Sequence, residues 1–263
     1  MDKCFGQGDV SLRWLGQMGF IVEAGETRLC IDYYATPDES RQIPPLIPAE
    51  ELKDVDVFLG THDHLDHIDH AAWKIWAKTN PNAKFVFPAA HMDSVIADGV
   101  NEHNAVGLND GESVTIGDVT IHTIAASHEF LDRDPVTGLY PYLQYIIETD
   151  GVRIHHAGDT VRYEGMMPKL RAFGKIDAEI LPINGRDAQR YRNNCIGNMT
   201  YQEAADLAGE VEPGIVIPGH WDMFADNSAD PYAFADYIDA KYTGKFKCVI
   251  PQYDDRIIIQ RQL

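Results

Sequence analysis

The chain has 263 residues, of which 44% are hydrophobic, and a formal net charge of −19. This length suits one large domain or two small ones, and so apolar a composition excludes a disordered protein because it supplies a substantial core. An acidic chain gains nothing from the counterion release that drives binding to DNA or RNA. We therefore expect no nucleic-acid partner.

Cysteine usage and the first residues indicate the cellular compartment. The four cysteines are far apart and lack the spacing of a zinc ribbon: Cys4, Cys30, Cys195 and Cys248. Met1-Asp2-Lys3 begins no apolar leader, and no apolar run approaches the ~20 residues that cross a bilayer. We expect a reduced, cytoplasmic protein without a membrane partner.

The N-terminal third reads as β structure. Glycines separate three short apolar segments: Val10–Leu15, Phe20–Glu23 and Arg28–Ile31. The third segment ends at Asp32, which either orients a metal-binding histidine or is a plain turn aspartate. A proline-rich surface loop follows at Pro37–Pro48.

The most informative segment comes next. The apolar run Val55–Leu59 predicts a buried strand that stops at Gly60. Four metal-binding side chains follow within six positions: His62, His64, Asp66 and His67. Imidazole and carboxylate together suit zinc, manganese or iron better than calcium. A solvated, histidine-rich loop is the alternative.

The middle of the chain continues with a helix and further strands. Asp69 can cap a helix to about Lys78, whose tryptophans we expect in the core. The predicted strands are Lys84–Phe87, Ala105–Leu108, Ser113–Ile116 and Val119–Ile124. The last strand leads into His128, which therefore follows a strand end as His62 does.

The second half of the chain shows the same pattern of strands and helices, with polar residues after strand ends. Strands are predicted at Tyr142–Glu148, Val152–His156, Ala178–Pro182, Gly214–Ile217 and Arg256–Ile259, and helices at Glu164–Phe173, after the Thr200/Glu203 capping box, and near Pro231–Ala240. Two of these strands deliver Asp159 and His220. No repeat or linker interrupts the chain, so we expect one domain, residues 1–263, with two packed sheets and helices outside.

His62-Asp63-His64-Leu65-Asp66-His67, with His128, Gly158-Asp159 and Gly219-His220, resembles the metallo-β-lactamase superfamily. The resemblance implies an α/β fold of four layers, an αββα sandwich of two mixed sheets with helices outside. It also implies a dinuclear metal site along one edge of the sheets.

The same resemblance implies a role for each matching residue. His62, His64 and His128 would bind one metal; Asp66, His67 and His220 would bind a second. Asp159 would bridge the two, and Asp66 and Asp159 are the candidate catalytic acids. The implied cofactor is one or two divalent ions, manganese or zinc, which ionise a bound water for hydrolysis.

A closer resemblance concerns the L-ascorbate-6-phosphate lactonase branch. It rests on three stretches: Trp14-Leu15-Gly16-Gln17 with Gly19-Phe20, Thr61–Asp69, and Gly219-His220-Trp221-Asp222 through Asp226-Asn227. It implies a lactonase for a small anionic, phosphorylated sugar-acid-like substrate, and a homo-oligomer. The segment between His128 and Tyr142 departs from that branch.

Arginines near the site in the sequence favour an anionic substrate, and this indication does not depend on the family resemblance. These are Arg162, Arg186, Arg190 and Arg192, and arginine forks match phosphate and carboxylate oxygens. A solvated loop bonded to acids is the equal alternative.

Other polar residues are expected either to orient the metal ligands or to lie outside the site. We expect His156 and Asn184 to orient ligands. Five histidines fit no ligand position and are expected at the surface or on helices: His70, His91, His103, His122 and His155. A phosphodiesterase of the same fold and a non-catalytic metal-binding domain are the alternatives to a lactonase.

Overall fold

A computed structural model describes residues 8–260, so Cys4 and the Met1-Asp2-Lys3 start lie outside the described residues. Fourteen strands lie within this range: β1 Val10–Gly16, β2 Gly19–Ala24, β3 Thr27–Ile31, β4 Val57–Leu59, β5 Lys84–Pro88, β6 Ala105–Leu108, β7 Ser113–Ile116, β8 Val119–Ala125, β9 Leu143–Thr149, β10 Val152–His156, β11 Ala178–Pro182, β12 Ile215–Gly219, β13 Lys247–Cys248 and β14 Arg256–Ile259. Six α-helices accompany them: α1 His70–Thr79, α2 Met92–Ala97, α3 Met166–Ala172, α4 Ala188–Arg192, α5 Tyr201–Val211 and α6 Pro231–Lys241.

The strands form two seven-stranded sheets of similar plan. The first has the order β14-β1-β2-β3-β4-β5-β6 and the second β13-β12-β11-β10-β9-β8-β7. In the first sheet the pairs are antiparallel up to β3 and parallel from β3 to β6. In the second they are antiparallel from β7 to β10 and parallel from β10 to β13. Both sheets are mixed, as predicted.

Three apolar layers hold the sandwich together. Alternate residues of β1 and β9, such as Leu12 and Tyr145, meet between the sheets. Trp73 and Trp76 of α1 pack on the outer face of the first sheet, and Phe234 of α6 packs on the outer face of the second. The predicted four-layer αββα order is confirmed, with the tryptophans in the core.

Helix caps follow the sequence closely. The side chain of Asp69 accepts a hydrogen bond from the backbone N–H of Ala72 at the start of α1. Thr200 and Glu203 form the predicted capping box at α5. The short elements α2, α4 and β13 were not predicted, because runs of two to six residues carry little periodicity. No helix within residues 8–260 has both the length and the apolar character that a membrane span needs.

Parallel pairing brings the polar strand ends to one edge of the sandwich. Asp32 follows β3, and Thr61 follows the neighbouring β4 after Gly60. The backbone N–H of Thr61 donates to Oδ1 of Asp32 over 2.9 Å. In the second sheet, β10 and β12 end just before Asp159 and His220.

Gly60 allows the metal-binding segment to fold back over the end of β4. A Cβ at this position would lie 2.4 Å from Cγ1 of Ile68, a side chain without solvent exposure. We expect Gly60→Ala to destabilise the protein by about 1–3 kcal/mol through overpacking. Denaturant unfolding measures this change.

The control is a double-mutant cycle with Ile68→Ala, which removes the clashing carbon. We expect a double variant less destabilised than the sum of the two single changes. Additive effects would contradict this account of Gly60.

Candidate metal centre

The structure brings all seven predicted ligand side chains to one place. Three groups each contribute donor atoms that lie within 4.8 Å of one another: His62, His64 and His128; His62, His67 and Asp159; and Asp66, His67 and His220. The groups share His62 and His67, so they form one continuous cluster. Donors from both sheets meet in it.

The first group consists of neutral nitrogen donors. Nε2 of His62 lies 2.9 Å from Nδ1 of His64. The ring of His128 stands edge-on to both rings, with centroids 5.3 Å and 5.0 Å away. Burial is the main cause that lowers the pKa of His128 to about 4, and it holds the pKa of His62 well below its usual value. These rings therefore stay neutral, as a metal ligand must.

Asp159 lies between the two ends of the cluster. Its carboxylate oxygens lie 3.5 Å from Nε2 of His128, 3.4 Å from Nε2 of His67 and 3.2 Å from Nε2 of His220. Burial acts to raise the pKa of Asp159, but the neighbouring rings of His220 and His67 outweigh burial and hold it well below its usual value. Asp159 is therefore ionised.

The spacing of these atoms fits a divalent ion. Donors about 2.1 Å from one ion lie roughly 3.0–3.5 Å apart in tetrahedral or octahedral geometry. Nε2 of His67 and Oδ1 of Asp159 are buried without a hydrogen-bond partner. Burial lowers the pKa of His67 and of His220, yet nearby carboxylates, Asp159 foremost, raise both. The cluster thus attracts positive charge.

Asp32 orients the cluster from the end of β3. Its Oδ2 lies 2.7 Å from Nδ1 of His67 and accepts the hydroxyl of Thr61 over 2.7 Å. With a proton held on Nδ1 by Asp32, Nε2 of His67 is the atom that would bind a metal, in place of the second proton that its raised pKa favours. Asp32 therefore contacts a candidate ligand, whereas a plain turn aspartate would not.

The hydrogen bonds of His156 and Asn184 go to loops beside the cluster and not directly to a donor side chain. Nε2 of His156 donates to the carbonyl of Met18 over 2.8 Å, and its Nδ1 accepts the N–H of Gly158 over 3.3 Å. Asn184 donates to Oδ1 of Asn227 over 2.8 Å. His156 acts on Asp159 through the preceding glycine, and Asn184 acts on a loop beside the cluster.

Gln17 is the supporting residue that sequence reasoning missed. Its Nε2 donates to Oδ2 of Asp66 over 2.9 Å and lies 3.2 Å from both ring nitrogens of His220. Its carbonyl accepts the N–H of His220, and its own N–H donates to Asp222. The β1–β2 turn therefore ties Asp66, from the first half of the chain, to His220 after β12.

Two of the four candidate anion-binding arginines are paired with acids distant in the sequence. Arg162 pairs with Glu210 over 2.5 Å, and Arg186 makes two bonds to the carboxylate of Glu203 over 2.6 and 2.7 Å. Arg192 is exposed on α4. The expectation that they contact substrate assumed free guanidinium groups, whereas two are neutralised by acids distant in sequence.

Arg190 also has protein partners. It pairs with Asp187, donates to the carbonyl of Ser228 over 2.6 Å and lies 3.4 Å from Oδ1 of Asn227. It therefore joins α4 to the loop before α6.

Among the five histidines without an expected role, one differs from expectation. His155 is fully buried in β10 between Glu179 and Gln144, at 3.0 Å from each, and not at the surface or on a helix. Its sheet is covered by helices on that face. None of the five belongs to a donor group within residues 8–260.

A cavity of about 330 Å³ opens onto the cluster. His64, Asp66, His128, Asp159 and His220 line it, together with loop residues within 38–40, 194–196 and 224–227. Cavities near 300 Å³ are at the small end of those that hold one small molecule.

Comparison with known proteins gives one consistent result. Residues 27–221 match the model of a β-lactamase superfamily domain. The chain is 30% identical over 232 residues to a UPF0173 metal-dependent hydrolase of Pyrococcus abyssi, which covers 88% of this chain and 93% of that protein. A UPF0173 metal-dependent hydrolase of Thermococcus onnurineus gives the same identity and coverage.

Solved structures share the fold. Igni18, a metallo hydrolase from Ignicoccus hospitalis, superimposes with a TM-score of 0.75 at 22% identity, covering 97% of this chain and 100% of that one. An isothiocyanate hydrolase from Delia radicum gut bacteria gives 0.72 at 15% identity, covering 94% and 98%.

The contacts of Gln17 predict that its replacement weakens metal binding. We expect Gln17→Ala to weaken divalent-ion binding at the group of Asp66, His67 and His220 by roughly 10- to 100-fold, because Asp66 and His220 lose their shared support. Titration of the metal-free protein with Mn²⁺ or Zn²⁺ measures this.

Gln42→Ala is the matched control. Gln42 donates to the carbonyl of Asp222 over 2.9 Å and has no hydrogen bond to Asp66 or His220. Its loss is expected to leave metal affinity unchanged. Equal affinities for wild type and Gln17→Ala would refute the role of Gln17.

Proposed function

Because this chain belongs to the UPF0173 metal-dependent hydrolases of the metallo-β-lactamase superfamily, it is a metal-dependent hydrolase, and we propose that it opens a lactone or another small carboxylic ester. The observation that carries the proposal is the seven-donor cluster beside a cavity of about 330 Å³. A cavity of this size suits a small molecule rather than a polymer.

The donor set supports the following metal-binding roles. His62, His64 and His128 would hold one divalent ion; Asp66, His67 and His220 would hold a second, with Asp159 within reach of both. Manganese or zinc suits these nitrogen and oxygen donors. When bound, such ions supply a Lewis acid and a hydroxide at neutral pH.

The chain itself provides orientation and a proton carrier. Asp66 is the more accessible of the two acids, with its side chain 13% exposed against 5% for Asp159. Gln17 fixes one oxygen of Asp66. We therefore assign to Asp66 the transfer of a proton from the attacking water to the leaving oxygen, and to Asp159 the task of holding the two donor groups together.

A phosphodiesterase is the second candidate, because a paired-metal site also suits in-line displacement at phosphorus. Its polymeric substrates need a basic groove. No lysine or arginine within residues 8–260 lines the cavity, and the chain carries a net charge of −19. These observations favour the ester over the phosphodiester.

A metal add-back experiment tests the proposal. Chelated protein should lose hydrolysis of γ-lactones, and Mn²⁺ or Zn²⁺ should restore it. If the protein cleaves bis-p-nitrophenyl phosphate but no lactone or ester, it is a phosphodiesterase and the proposed ester hydrolysis is wrong.

His128→Ala and His103→Ala form a matched pair within this assay. His128 is a cluster donor, whereas His103 is exposed and outside the donor groups. We expect kcat/KM to fall by more than about 100-fold in the first variant, beyond what loss of a supporting contact costs, and to stay unchanged in the second. Similar losses in both would contradict the assignment.

A further inference from the structure

The cavity wall contains side chains that do not belong to the donor cluster. Within residues 8–260, Asp38 is the wall's only side chain outside the cluster with a charge at neutral pH. Its carboxylate accepts the backbone N–H of Ser40 over 2.7 Å and the hydroxyl of Tyr34 over 3.3 Å. The side-chain and backbone hydrogen bonds from Ser40 lower the pKa of Asp38. A fixed negative charge therefore stands in the wall.

The charge of Arg41 adds to the hydrogen bonds from Ser40 in lowering the pKa of Asp38, so it offsets this carboxylate in part, but its guanidinium donors are already used. Arg41 donates to the carbonyls of Tyr34 and Ile43 over 2.6 and 3.0 Å and lies over the ring of Tyr34. Arg190 is bound to Asp187 and Ser228. Both guanidinium groups are committed to the protein, so a phosphate in the cavity would meet no available arginine fork.

The other wall groups are uncharged. Leu65, Ile196 and Phe224 present apolar surface, and the side chain of Leu65 is 56% exposed. Asn194, Asn227 and Ser40 offer amides and a hydroxyl. Such a surface suits hydroxyl groups and a hydrocarbon edge.

We propose that the portion of the substrate remote from the scissile ester is uncharged, hydroxylated or apolar, and that Asp38 discriminates against a phosphate or second carboxylate there. This inference rests on the proposed ester hydrolysis and narrows its substrate class. The donor cluster would receive the reacting carbonyl, while Asp38 acts on whatever part of the substrate meets the rest of the wall. This expected preference for an uncharged substrate is the reverse of the preference for an anionic substrate that the arginines suggested from the sequence.

Two lactones that differ by one phosphate test the inference. L-Galactono-1,4-lactone and its 6-phosphate share the ring and the scissile bond. We expect a higher kcat/KM for the unphosphorylated lactone at low salt. Asp38→Asn should reduce this ratio about fivefold, the effect of a unit charge about 4 Å away in water, and added salt should reduce it in wild type.

Asp118→Asn is the control. Asp118 likewise accepts a backbone N–H, from Glu26 over 2.7 Å, but it does not line the cavity. The same charge change there should leave the ratio as in wild type.

Each outcome decides a separate question. Equal or preferred turnover of the 6-phosphate, or a ratio that Asp38→Asn leaves unchanged, overturns the inference and leaves ester hydrolysis intact. If metal-loaded protein cleaves the phosphodiester but neither lactone, both the proposed function and this inference are wrong.

Discussion

The contact of Asp159 with three histidine rings is the interaction on which the site depends. A buried carboxylate is stable only when positive charge or donors compensate it. Here the rings of His67, His128 and His220 lie 3.2–3.5 Å from its oxygens. These groups come from distant parts of the chain, so the carboxylate and a bound cation would each stabilise the other and the surrounding fold.

The fold makes this meeting possible through its two mixed sheets. The Thr61–Asp69 segment follows β4 of the first sheet, while Asp159 and His220 follow β10 and β12 of the second. The core between the sheets fixes their spacing, and Tyr145 reaches from it to the carbonyl of Gly60 over 2.8 Å. Packing errors in this core would therefore separate the two halves of the site.

The sequence predicted what local spacing and strand ends encode. His62, His64, Asp66 and His67 lie within six residues. The later donors each follow a strand: β10 and β12 run parallel in one sheet, and β8 runs in the same direction as β10 because both are antiparallel to β9. Four layers follow from apolar strands interleaved with amphipathic helices. These features depend on short-range patterns, which explains why they could be read without coordinates.

What the sequence did not predict depends on distant partners. Gln17 sits at φ 55° between glycines, and nothing local shows that its side chain crosses to Asp66 and His220. Arg186 looked free because its partner Glu203 lies seventeen residues away. His155 looked polar and exposed, since helices added later in the chain cover its strand. For all three residues, contacts with partners distant in the sequence determine the role.

Anomalous scattering from crystals grown with Mn²⁺ or Zn²⁺ tests the central claim most directly. We expect one or two peaks inside the cluster, bounded by His62, His64 and His128 on one side and by Asp66, His67 and His220 on the other, with Asp159 between them. Peaks elsewhere, or none within bonding distance of these seven side chains, would contradict it.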